Sequence, residues 1–132
     1  ETSQPVPETY GELTRCIFDS LALRYKQIFA YLQKMAPFPI EKLHIIGGGS
    51  KNNHLNQFTC NAVGVPVTAG PSEGTAIGNI MLQAKANGLV KDIAEMRRLI
   101  STSIETVSFT PEQPEAWEEA YQKYLSVYRE DI

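Results

Sequence analysis

The sequence predicts an α/β fold of short parallel strands with flanking helices, and three observations predict it. Stretches with helical periodicity alternate with very short apolar runs, first Leu43-His44-Ile45-Ile46 and then Val65-Pro66-Val67-Thr68. Glycine closes each run, as Gly47-Gly48-Gly49 after the first and Gly70 after the second. A helix-periodic stretch lies between them, which makes the two runs a parallel pair joined by a crossover helix.

Each element has its own local justification. The opening ETSQPVPET is polar and carries two prolines, so residues 1–9 read as an extended lead-in. Thr9 stands three residues before Glu12, a capping-box spacing that starts the first helix. Leu13, Ile17, Leu21, Tyr25, Ile28, Leu32 and Met35 then recur as one apolar stripe, widened by Cys16, Phe18, Ala22 and Phe29. So broad a face over about seven turns needs more than one neighbour to cover it. Pro37 and Pro39 stop the helix.

Leu43–Ile46 is the first strand. The second helix carries Leu55, Phe58, Thr59, Ala62 and Val63 at helical spacing, with Asn52 or Asn53 as its cap and Gly64 as its stop. Pro66 argues that the second strand is an edge, or that the proline is its first residue. The third helix is capped by Ser72, turns Ala76, Ile77, Ile80, Met81 and Ala84 inward, and ends at Gly88. Gly74 and Gly78 lie on one of its faces, where the plainer reading is a tight helix–sheet contact. Asp92 leads a fourth helix, Thr106–Phe109 reads as a strand, and a last helix has Pro114 in its first turn. Trp117, Ala120, Tyr121, Tyr124, Leu125 and Tyr128 share one face of that helix.

Composition narrows the function classes. With 132 residues, 42% hydrophobic and 20% charged, the chain is one globular domain rather than a disordered or fibrous segment. A net charge of -3 and a pI near 5.4 exclude a basic nucleic-acid footprint and a polybasic membrane patch. No apolar run is long enough to span a bilayer, and no secretory leader opens the chain. Cys16 and Cys60 lack metal-ligand spacing and read as reduced, buried thiols of a cytoplasmic protein. Two or three short strands are too few to cover this many helices. Together with a start at Glu1, they point to the C-terminal part of a larger protein whose other strands precede residue 1.

Chemistry concentrates in one segment, LHIIGGGSKNNHLN over residues 43–56. Ligands of open α/β sheets sit at the carboxyl ends of strands, where this glycine turn lies. Glycines let a ligand approach backbone, the start of the next helix favours an anion, and Asn52 and Asn56 could offer amides to a base or ribose. A nucleotide is the natural guess, and a purely structural turn is the alternative. The turn is neither G-x-G-x-x-G nor a Walker phosphate loop. Lys51 reads as a solvated lysine, His44 as packed in its strand and His54 as exposed. No Ser-His-Asp arrangement, carboxylate dyad or metal site is evident.

The run from His44 to Gly88 resembles the C-terminal domain of the FGGY family of carbohydrate kinases, and most of all the branch acting on L-rhamnulose. The resemblance rests on GGGSKN-x-x-LNQ from Gly47, on AGP-x-E-x-TA-x-GN from Ala69, on the lead-in helix ELTRCIFDSLALRY, and on MRRLISTSIE with the P-x-x-x-x-x-W-x-x-AY tail. It covers about Glu8 to Arg129. It implies part of an actin-like ATPase, ribonuclease H-like domain, on the nucleotide side of an enzyme that transfers the γ-phosphoryl group of Mg·ATP to a ketose. On the same ground Gly47, Gly48, Gly49 and Asn52 contact the adenine nucleotide, with no catalytic base and no metal ligand in this chain. The cofactors implied are ATP and Mg²⁺, and the partners are the ketose and the N-terminal remainder of the kinase. The alternatives are a kinase for fuculose, xylulose or ribulose, or a non-catalytic actin-like assembly module. An isolated piece of this kind would expose an apolar face and could self-associate.

Overall fold

Thr9 starts the first helix as its spacing predicts. Its hydroxyl accepts from the Glu12 N–H at 3.2 Å, and the Glu12 carboxylate accepts from the Thr9 N–H at 2.9 Å. The computed structural model describes residues 4–128. The first three lead-in residues and Arg129 lie outside the described residues. The elements in order are α1 (Tyr10–Met35), β1 (Leu43–Ile45), α2 (Asn53–Val63), β2 (Val67–Ala69), α3 (Gly74–Ala86), α4 (Ile93–Ser103), β3 (Val107–Phe109) and α5 (Pro114–Val127). A 3₁₀ turn over Gly48–Lys51 joins β1 to α2. Residues 4–8 of the lead-in belong to no helix or strand.

The sheet order is β1-β2-β3. β1 and β2 are parallel, with Leu43 opposite Val67 and Ile45 opposite Ala69, as the crossover through α2 requires. β3 runs antiparallel to β2, so the sheet is mixed rather than wholly parallel. Pro66 is not on an edge strand, because β2 is central. It stands just before the ladder, where its missing N–H costs nothing and its carbonyl accepts from Leu43 N–H at 3.0 Å.

Two clusters hold the chain together. Cys60, Val67, Ala69 and Phe109 pack between α2 and the sheet. Ala22, Leu23, Ala62 and Trp117 join α1, α2 and α5, with Phe58 against the Trp117 ring at 5.7 Å between centroids. Lys26 reinforces the α1–α5 contact through a 2.6 Å ion pair with Glu118, and its ammonium lies 4.8 Å from the centre of the Tyr121 ring.

Several expectations about burial are corrected. The long apolar stripe of α1 is not its buried face, since α1 buries Ala22, Leu23 and Gln27 while Ile17 and Met35 remain 57% and 72% exposed. α2 and α5 cover the other side of the helix. Cys16 shares the open side and is exposed, whereas Cys60 is fully buried, which pushes its thiol pKa up by desolvation. α3 buries none of its residues, and Ile80 is 65% exposed. Ser72 does not cap it; the residue at its start is Glu73, which makes no side-chain cap bond. Nothing described here lies within 4 Å of a Cβ built on Gly78, so the expected tight helix–sheet contact is absent at that glycine.

Candidate functional site

The glycine turn stands where β1 ends. Gly47 takes φ 85°, ψ −172°, a backbone region essentially reserved for glycine. Its N–H donates to the Pro71 carbonyl at 3.1 Å, which ties the end of β1 to the segment just after β2. Gly48 and Gly49 are exposed, and a Cβ at any of the three glycines would meet nothing within 4 Å among the described residues. The backbone of the turn is therefore open to approach.

The four predicted contact residues are consecutive or nearly so, and the structure keeps them together. Asn52 caps α2, its Oδ1 accepting from Leu55 N–H at 3.1 Å. Its Nδ2 has no acceptor among the described residues, so one end of that side chain holds the helix and the other remains available. Asn56 departs from expectation. It is 1% exposed and its Nδ2 donates to the Ser50 carbonyl at 2.8 Å, so its amide serves the turn and cannot also face a base. The anion-favouring helix start does not follow the glycines directly either, because the 3₁₀ turn intervenes.

Lys51 and His54 are exposed, as expected. His44 is also exposed, contrary to the packed reading, because it points away from the α2 side of β1. Ser50 is the residue that sequence reasoning passed over. Buried, it donates from N at 3.0 Å and from Oγ at 2.7 Å to the Gly47 carbonyl. Its spacing from Gly47 is the available signal, since serine closes such turns through local backbone bonds. Among the described residues no group of three or more His, Cys, Asp or Glu side chains could hold a metal ion. No described helix is long and apolar enough to cross a membrane.

A second concavity adjoins the turn. A groove of about 580 Å³ runs between α1, β1 and α2, lined by Tyr25, Ile28, Leu32, Ile46 and Leu55 and bordered by Gly49. Its walls are apolar, and they suit a packed side chain better than a phosphate.

A parallel strand pair, an open glycine turn at the carboxyl end of its first strand and a capped helix together define an α/β unit whose accessible backbone lies at the strand ends. The comparisons narrow that class. The model of the FGGY family of carbohydrate kinases, C-terminal domain, matches residues 2–87, and the chain belongs to this family. It is 55% identical over 128 residues to a rhamnulokinase of Bacteroides thetaiotaomicron, covering 97% of this chain and 26% of that protein. A rhamnulokinase of Pectobacterium atrosepticum is 45% identical over 111 residues, covering 84% of this chain and 22% of that protein. The crystal structure of xylulose kinase from Rhodospirillum rubrum superposes with a TM-score of 0.72 at 21% identity, over 96% of this chain and 26% of that one. That likeness shows the fold expected from the sequence, α/β of the actin-like ATPase type, and the fold alone. The chain spans about a quarter of the length of the relatives it matches.

Proposed function

We propose that this chain is the nucleotide-side, C-terminal portion of the second domain of a cytoplasmic rhamnulokinase, which phosphorylates L-rhamnulose to L-rhamnulose 1-phosphate with Mg·ATP. The observation that carries this reading is the 55% identity over 128 residues to a protein named rhamnulokinase. The open backbone of Gly47, Gly48 and Gly49 supports this reading, because a nucleotide needs close approach without side chains, and so does the Asn52 amide, which could donate to base or ribose while its Oδ1 caps α2. The Mg²⁺ ion would be carried by the nucleotide phosphates, with further ligands from the rest of the enzyme. Phosphoryl transfer depends on positioning and charge stabilisation around both substrates. In this reading the catalytic base, the sugar pocket and the strands that complete the sheet belong to the rest of the enzyme. The 132-residue chain alone is then inactive.

The test is a coupled ADP-release assay on the full-length protein with Mg·ATP and L-rhamnulose, L-fuculose, D-xylulose or L-ribulose. Strong preference for L-rhamnulose supports the reading. Turnover of another ketose keeps the kinase and overturns the substrate. No turnover of any sugar moves the weight to a non-catalytic actin-like module. Sugar-dependent ADP release from the 132-residue chain alone would contradict the division of labour.

A further inference from the structure

The shape of the glycine turn is set by a chain of hydrogen bonds behind it. Gly47 sits in a backbone region that is strained for other residues, and its carbonyl accepts twice from Ser50, from the backbone at 3.0 Å and from Oγ at 2.7 Å. The Ser50 carbonyl accepts in turn from Asn56, whose side chain reaches back from α2 at 2.8 Å. Both side chains are buried, Asn56 almost completely. The Pro71 carbonyl anchors the other end through Gly47 N–H. The open amides of Gly48 and Gly49 and the free amide of Asn52 are therefore held in fixed relation by a path running from β2 through the turn into α2.

A residue that only packed α2 against its neighbours would be served at this position by an apolar side chain, without the desolvation cost of a buried amide. The amide is spent on one backbone carbonyl of the turn. We infer that Asn56, acting with Ser50, is a positioning residue for the nucleotide: it holds the Gly47–Gly49 backbone in the conformation that receives the ligand, without touching the ligand itself. This rests on the reading of the turn as the nucleotide side of a kinase. Preorganisation of this kind lowers the cost of binding for the one substrate that meets the turn and leaves the other unaffected.

The experiment is steady-state kinetics on the full-length enzyme, with ATP and sugar varied separately, together with a thermal melt. Asn56→Asp keeps the shape but removes the donor toward the Ser50 carbonyl, and Ser50→Ala removes only the Oγ bond. Asn56→Asp is expected to raise the KM for ATP about tenfold, equivalent to about 1.4 kcal/mol, with the KM for sugar unchanged. Ser50→Ala moves the same constant by roughly threefold, in proportion to a single neutral hydrogen bond. Leu23→Ala, in the α1–α5 cluster far from the turn, lowers the melting temperature and leaves the KM for ATP where it was.

The inference is overturned if Ser50→Ala and Asn56→Asp leave the KM for ATP unchanged, or if they raise both KM values together as a general loss of structure would. Should Asn56→Asp fail to fold, Ser50→Ala decides alone. Gly48→Val separates this from failure of the nucleotide reading. If it too leaves the KM for ATP unchanged, the turn is not the nucleotide site. If it raises that KM while the other two do not, only the positioning role falls.

Discussion

Two neighbouring glycines of the turn should respond oppositely to the same substitution. Gly47 lies at φ 85°, ψ −172°, and a methyl group there meets nothing within 4 Å. Gly47→Ala therefore adds no clash, and its whole cost is backbone strain of about 1–3 kcal/mol. Gly48 lies within the 3₁₀ turn, outside the left-handed region, and its added methyl is equally free. Gly48→Ala gains about 0.4–1 kcal/mol by restricting the unfolded chain. The two variants should then differ by roughly 1.4–4 kcal/mol, which for a chain of this size is about 4–16 °C in melting temperature. Urea and thermal unfolding can be followed through Trp117, the single tryptophan, which is buried where α5 packs on α1 and α2. Equal melting temperatures for the two variants, or a more stable Gly47→Ala, would refute the strain argument.

Three further outcomes follow from the packing. Thr68 Oγ1 is buried with no hydrogen-bond partner among the described residues, so Thr68→Val should raise stability by about 1 kcal/mol, and a loss in urea unfolding would show that the hydroxyl is satisfied. The Glu118 carboxyl is held below its ordinary value of 4.5, first by the hydrogen bond from Lys26 and then by that from Gln122. A depressed carboxylate stabilises fully above its unfolded value and loses that contribution as pH falls through the folded one. The stability curves of the parent chain and Lys26→Met should therefore separate above about pH 4.5 and converge below it, by a small amount because the pair is largely solvated. A gap that widened toward acid would reverse the assignment. The 132-residue chain should bind an apolar dye through the open stripe of α1, and the double change Ile17→Lys with Leu32→Lys should abolish that binding without lowering the melting temperature. A chain that binds no dye and is a monodisperse monomer would refute this.

Local chemistry made the element order legible. The capping box at Thr9, Asn52 and Asp92 as caps, Gly64 in the left-handed region at 76° and Pro114 in the first position of α5 all lie where the residue types require them. Strand and helix existence followed from periodicity for the same reason. Burial was less legible. Periodicity identifies an apolar face but not which neighbour covers it, so the strongest stripe of α1 predicts a core that the described residues place on the opposite side. Cys16 and the inward residues of α3 failed by the same route. At the turn, the glycines and Asn52 were visible because their residue types are unusual in that order. The tasks of Asn56 and Ser50 were hidden, since both are defined by backbone carbonyls that a one-dimensional pattern does not bring together.

The exposed stripe and the sheet also bear on each other. Among the described residues β1 pairs only with β2, which leaves its outer edge open, and the groove beneath that edge is walled by the unpacked side of α1. An open edge presents unpaired N–H and C=O groups, whereas an open apolar stripe presents carbon. A helix laid in the groove would bury the carbon and leave the edge unpaired. A strand beside β1 satisfies both demands, pairing its backbone with the edge and sending alternate side chains down onto α1. On the reading proposed here that strand comes from the remainder of the kinase. On that reading the shortage of strands in the sequence and the open stretch of α1 over Tyr25, Ile28 and Leu32 have one physical cause, a core face completed by a strand from outside the described residues.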